Sequence, residues 1–230
     1  MTHSIYMTLA ATGNTGKTTI ARHVLAPDSG PIATLETHSA SGDETDVLDR
    51  GGLAARLFAP PTDGLVLDVG VGDTVDALEA LRLISQQDSG LPSRLRLVVP
   101  MLTDSKSVAG LRWLLDQLPV VLRPCVRAIW NRVRHTEGAT LKDSDVARAA
   151  RSVARQGGAQ LCSVPLRESA LFDPAHALVR RYGSIAALAS LPDSTIREAA
   201  LGEMSTLLVA RDAAQAAVAN CREVYAALAE

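Results

Sequence analysis

AATGNTGKTTIARHVL, residues 10–25, decides the reading of this chain. An apolar run, SIYMTLAA, leads into it, and a helix-forming run, TTIARHVL, leaves it. Between them lies Gly-Asn-Thr-Gly-Lys-Thr-Thr, Gly13 to Thr19. A strand, a glycine turn and a helix in that order are the setting of a phosphate-binding loop. Gly16 lets backbone N–H groups approach an anion, with Gly13, Asn14 and Thr15 completing the turn. Lys17 is placed to hold the β- and γ-phosphates of a nucleotide. Thr18 offers a hydroxyl to Mg²⁺, and Thr19 reaches the α-phosphate. The helix start adds its aligned dipoles and free amides. Two positions depart from the usual pattern. Ala11 stands where the motif opens with glycine, and Thr12 is the residue after it.

Outward from this loop, short apolar runs alternate with amphipathic stretches. Strands are expected at Ser4–Ala11, Ile32–Glu36, Leu65–Val69, Leu95–Pro100, Val126–Asn131 and Gln160–Val164. Helices are expected at Gly16–Leu25, Asp46–Phe58, Thr74–Gln87, Ser105–Leu118, Leu141–Gln156 and Glu168–Arg181. The alternation predicts an α/β fold: a doubly wound, mostly parallel sheet flanked by helices, of the P-loop NTPase kind. Such sheets bind ligands beyond the carboxyl ends of their strands. After Leu191 the pattern becomes helical from 194 to 229, with Gly202 as a candidate bend. The expected organisation is a P-loop domain over 1–191 and a helical extension over 192–230, packed on the domain or on a partner. Ala59–Gly64 and Gly90–Ser93 read as linkers.

The chain has 230 residues, 47% of them apolar and only 3% aromatic, so aliphatic side chains must fill its core. Its three cysteines lie far apart, without metal-ligand spacing. The N-terminal stretch lacks the pattern of a secretion signal, and no apolar run approaches membrane-spanning length. A cytoplasmic protein is the expectation. The net charge of −2 hides an acidic first third, a basic middle and an acidic end. The basic middle includes Arg123, Arg127, Arg132, Arg134, Arg148, Arg151 and Arg155, a candidate surface for nonspecific DNA binding. The acidic C-terminal segment speaks against a membrane-binding helix.

Further candidates fall at expected strand ends. Asp68 in GLVLDVGVGD could hold Mg²⁺, and Gly72 could bring an N–H to the γ-phosphate. In LETHSASGDETD, Glu36 is the first choice to position attacking water, with His38, Asp43, Glu44 and Asp46 as alternatives. Asn131 could read adenine with its amide, and Val164-Pro165-Leu166 could line a base pocket with backbone.

Taken together, GNTGKTT, LVLDVGVG, IWNRV and VPLRESAL resemble the ParA/MinD-like P-loop ATPases. Within that group, GNTGKTTIARHVLAP followed by LETHSASGDETD is most similar to the plasmid-stability StbB proteins. The resemblance covers roughly residues 4–190. It implies slow, Mg²⁺-dependent ATP hydrolysis to ADP, an ATP-dependent homodimer, and a role in plasmid stability, partition or conjugation beside a small DNA-binding adaptor. It also implies that Lys17, Thr18, Thr19, Asp68, Gly72 and Asn131 serve the nucleotide. Thr12 departs from the family, which carries a lysine there that reaches across the dimer. Two other readings remain open: a P-loop kinase or ligase acting on a small molecule, and a nucleotide-binding scaffold with negligible turnover.

Overall fold

Among the described residues seven short segments pair side by side, every pair parallel. They are β1 (Ile5–Thr8), β2 (Ile32–Leu35), β3 (Asp46–Val47), β4 (Leu65–Val69), β5 (Leu95–Met101), β6 (Val126–Trp130) and β7 (Gln160–Leu161). Their spatial order is β3-β2-β4-β1-β5-β6-β7. This is a computed structural model, and it describes residues 5–13, 15–26, 32–35, 46–47, 50–59, 64–133, 141 and 143–229. β1 lies inside the sheet, between β4 and β5, because the chain first builds outward on one side and then crosses to the other. The loop after β1 therefore opens at the point where strand order reverses, the crevice in which such sheets take ligands.

Side-chain alternation along the strands sorts the protein into two faces. Ile5, Met7, Leu65, Leu67, Leu95, Leu97, Val126 and Ala128 enter the larger core. That side is covered by α2 (Arg50–Phe58), α3 (Thr74–Gln87), α5 (Ser105–Gln117) and α6 (Asp145–Gly157). The opposite parity carries Tyr6, Val66, Val98 and Ile129 against α1 (Lys17–Ile20) and α10 (Leu201–Ala229). Thr8, Asp68 and Asn131 share this second parity, so alternation alone aims the candidates Asp68 and Asn131, with Thr8 beside Asp68, toward α1.

α1 does not end at Ile20. It runs on into a π-helical turn, Ala21–Leu25, a winding that often marks functional positions. The one-turn α4 (Leu91–Arg94) forms where a linker is expected, locked by Arg94, which donates to the Leu57 carbonyl at 3.0 Å and pairs with Asp88. Asp46–Val47, expected as the start of a helix, pairs with β2 as an edge strand. The expected helix at Glu168–Arg181 is instead a 3₁₀ turn at Ala170–Phe172, then α7 (Ala177–Tyr182). The break in the C-terminal helix falls at Ala199, which is extended (φ −71°, ψ 154°), between α9 (Asp193–Glu198) and α10, and Gly202 lies in the first turn of α10.

α10 has 29 residues, a length of about 44 Å. Leu207, Ala214, Ala217, Asn220, Cys221, Val224 and Leu228 form its buried stripe. The first half of the stripe meets α8 (Ile185–Ala189) and Leu171 in a small cluster of its own. The second half lies on the sheet, against Tyr6, Val98 and Ile129. Full burial of a Val or Leu side chain is worth about 1.5–3 kcal/mol, so Val224 and Leu228 alone seat the helix firmly. Among the described residues no helix is long and apolar enough to cross a membrane.

Candidate functional site

Gly16 is fixed twice over. Its φ of +82° is a left-handed conformation that costs a residue with a side chain about 1–2 kcal/mol. A Cβ there would also stand 2.0 Å from Asn131 Nδ2. Asn131 comes this close because it braces the loop: Nδ2 donates to the Thr15 carbonyl at 2.5 Å. Its Oδ1 accepts from the Arg132 N–H at 2.9 Å, and its own N–H donates to the Met101 carbonyl at 2.8 Å. One buried residue, through its main chain and its side chain, thus ties the ends of β5 and β6 to the turn after β1. Sequence reasoning assigned this amide to adenine; the geometry spends it on the loop, at 2% exposure.

Lys17 is the first residue of α1 and is largely buried. The first N–H groups of a helix have no partner inside it, so the amides at the start of α1 are turned toward the mouth of the loop. Thr18 is exposed and Thr19 half-buried. Thr15 is buried with its hydroxyl oxygen unpartnered, an orphaned polar atom inside the loop. Gly13 is open: a Cβ there meets nothing within 4 Å. Ala11 is accommodated from across the fold. Gly110 of α5 passes so close that a Cβ on it would sit 3.2 Å from the Ala11 methyl. The missing glycine at 11 is matched by a glycine on the neighbouring helix. Thr12 projects into solvent.

Thr8 and Asp68 face each other in register on β1 and β4. Thr8 Oγ1 donates to Asp68 Oδ1 at 2.6 Å, a buried bond that orients the carboxylate and occupies one of its oxygens. The segment after Asp68 is tied to the same loop by Thr74 Oγ1, which donates to the Ala10 carbonyl at 3.0 Å and the Gly70 carbonyl at 3.3 Å. Gly72 lies at the tip of that turn, exposed and uncrowded. Val71 and Val75 flank it at 42% and 60% exposure, an apolar pair that the sequence reading did not single out.

A cleft of about 470 Å³ opens from Thr18 and Thr19 along α1 to Arg22 and His23. Its other wall is Leu171, Phe172, Pro174, Val179, Arg180 and the turn Gly183–Ile185. A second lobe of about 340 Å³ shares Arg22, His23 and Phe172 and ends at Cys221 and Arg222 of α10. His23 packs on Phe172 with ring centroids 5.2 Å apart. Burial, and secondarily the charge of Arg22, holds the His23 pKa below the usual imidazole value. Burial pushes the Cys221 thiol up to about 11, so it is a packing group rather than a nucleophile.

Pro165 precedes Leu166, which pairs with the end of β6 on either side of Asn131. It is held by Asn220, a residue the sequence reading missed. Asn220 Nδ2 donates to the Pro165 carbonyl at 3.1 Å, and Oδ1 accepts from the Arg167 N–H at 2.8 Å. The segment extends the sheet beyond β6, with the Leu166 N–H on the Trp130 carbonyl and Val133 bridging to Arg167. The available signal was a single amide within the apolar stripe AAVANCREVYAAL, since buried amides need partners.

Glu36, His38, Asp43, Glu44, Asn14 and Arg134 lie outside the described residues. Of the candidate DNA-binding arginines, Arg127 is withdrawn: it is 5% exposed within β6. Arg148 pairs with Asp145, and Arg123 Nε donates to the Leu118 carbonyl at 3.3 Å. Arg132, Arg151 and Arg155 are exposed, as is the paired Arg148. No protein-family model matches the chain, and no curated protein matches it. The resemblance to the ParA/MinD-like ATPases therefore rests on the motifs alone.

Proposed function

We propose that the chain is a P-loop ATPase that switches between ATP and ADP states as a dimer, in plasmid stability, partition or conjugation. The observation that carries this reading is the Asn131 brace, which preorganises the turn from Thr15 to Lys17 at the start of a helix. A glycine turn without a ligand has no need of a buried amide from a strand 116 residues away holding its backbone in place. The orphaned Thr15 hydroxyl supports the same conclusion.

In this reading Lys17 and the α1 amides hold the β- and γ-phosphates, and Thr19 holds the α-phosphate. The nucleoside then extends along α1, into the cleft between Arg22 and the Phe172–Pro174 wall. Its volume is of the size that small-ligand sites use. The residues also fit Mg²⁺. Among the described residues no cluster of three His, Cys, Asp or Glu side chains is present. A nucleotide-bound Mg²⁺ requires only one or two protein oxygens besides phosphate and water, and the Thr18 hydroxyl and the second Asp68 oxygen supply them. Bound there, it neutralises developing phosphate charge.

The exposed pair Val71 and Val75 beside Gly72 supports a nucleotide-sensitive contact with a second copy. ATP would act on this turn and on the segment near Glu36–Asp46, giving a small DNA-binding adaptor a surface to read. Of the exposed arginines, Arg132, Arg151 and Arg155 are the candidates for nonspecific DNA contact. Thr12 offers no cation, so hydrolysis is slow unless an arginine supplies the transition-state charge. That same observation favours the second reading, a nucleotide-binding scaffold with negligible turnover.

Oligomeric state measured with ADP, ATP and a nonhydrolysable analogue, alongside phosphate release with and without DNA, separates these readings. The switch predicts a dimer with ATP or the analogue and a monomer with ADP, and Lys17→Ala abolishes the response. A monomer under every condition that phosphorylates an added metabolite would overturn it in favour of a kinase or ligase.

A further inference from the structure

At the opposite end of the sheet from the phosphate loop, two arginines lie together without an acid. Tyr6 stands opposite Arg96 in the β1–β5 register, and Val98 stands opposite Arg127 in the β5–β6 register. Alternation puts Tyr6, Arg96 and Arg127 on the α10 face, at the amino-terminal ends of their strands. Arg127 is 5% exposed, and its Nη1 donates only to main chain, to the Pro124 carbonyl at 2.8 Å and the Val126 carbonyl at 3.4 Å. Its Nε is buried with no partner. Arg96 is half-buried, and its Nη1 donates to the Leu95 carbonyl at 3.1 Å. Among the described residues no Asp or Glu pairs with either guanidinium.

Such an arrangement is costly. Guanidinium groups stay charged in proteins, and a buried charge needs a counter-charge and filled hydrogen bonds. Burial first, and the like charge of Arg96 second, lower the pKa of Arg127, so the two groups act on each other. The partial negative charge at the carboxyl end of α10, where Tyr225 packs on Tyr6, offsets part of this. It fills none of the unspent donors. Both residues keep guanidinium donors that these bonds do not use, Arg127 Nε among them, and Arg96 reaches solvent; planar guanidinium donors of this kind suit a tetrahedral anion.

We infer that Arg96 and Arg127 form a binding site for a phosphate dianion, free or as a monoester, separate from the phosphate loop. Its occupation supplies the counter-charge that the strands lack. The site is tested in the full-length Lys17→Ala chain, which removes the contribution of the phosphate loop and so leaves the nucleotide reading untouched. Thermal unfolding and calorimetry are run with inorganic phosphate against chloride at equal ionic strength. Phosphate is expected to raise the melting temperature and to bind at one site. Adding Arg127→Met should cut the affinity at least about tenfold, as loss of a charged hydrogen-bonding partner does. In chloride that variant should be no less stable than its parent, because an unpaired buried charge is gone. Arg96→Gln, at a half-buried position, should also lose affinity, and it decides the matter if Arg127→Met does not fold. A second arm uses ribose 5-phosphate. Tighter binding than phosphate assigns the site to a monoester, and weaker binding assigns it to the free anion. Absence of phosphate-specific stabilisation in Lys17→Ala, or stabilisation undiminished in Arg127→Met or in Arg96→Gln, overturns the inference.

Discussion

One methyl group at position 16 separates a usable turn from an unusable one. Gly16→Ala must pay for a left-handed backbone and push Asn131 away from Thr15. We expect a loss of about 1–3 kcal/mol in denaturant unfolding, together with loss of nucleotide binding by calorimetry. Gly13→Ala is the control: its Cβ meets nothing within 4 Å, and stability should change little. If the two variants behaved alike, the brace would not be what holds the loop. The sequence marked Gly16 for its closeness to phosphate. It could not show that a side chain 116 residues away fills the same space. The pairing of Ala11 with Gly110 was hidden for the same reason, since contacts across the fold leave no local pattern.

Among elements, legibility followed length and clean boundaries. Leu65–Val69 is a buried strand bounded by Gly64 and Gly70, and Thr74–Gln87 carries its apolar residues at helical spacing, so both were read to the residue. Asp46–Val47 is too short to show a period, and its pairing with β2 overrides the helical pattern that follows. At Glu168–Arg181 apolar spacing suggested a helix, but the backbone from Leu166 to Glu168 is already committed to the sheet edge and to Asn220. That latch makes its own prediction. Asn220→Ala leaves the Pro165 carbonyl and the Arg167 N–H unpaired and should cost about 1–3 kcal/mol in thermal unfolding. Asn220→Asp keeps an acceptor for the Arg167 N–H but sets a second acceptor against the Pro165 carbonyl, so below the carboxyl's pKa, where its O–H can donate, it should lose less than Asn220→Ala. Equal losses in the two variants at that pH would mean that the amide is not the latch.

At the scale of the molecule, the two faces of the sheet have divided their tasks. One holds most of the core; the other carries Thr8, Asp68 and Asn131 at its upper end and Arg96 and Arg127 at its lower end, with α10 lying between. His23 sits where α1, the Phe172 segment and the C-terminal helices meet. Its pKa is lowered in the folded protein, so the unfolded chain binds the proton more readily. Stability should be fully present above the unfolded imidazole value of about 6.5 and should fall as pH drops below it, until the folded group is also protonated. His23→Asn should flatten that slope in urea unfolding measured between about pH 5 and 8. An unchanged slope would assign the acid sensitivity elsewhere.

The position of α10 also governs the order in which the protein can be completed. β1 is synthesised well before α10, and Tyr6 meets its ring partner Tyr225 only after more than two hundred further residues have been joined. Chains emerge at about 5–20 residues per second, so for many seconds one face of the nascent sheet has nothing to cover it. Pairings this distant in sequence are also slow to close. The apolar strip of Tyr6, Val66, Val98 and Ile129 is thus a surface exposed to chaperones and to aggregation during synthesis, and α10 is what ends that exposure.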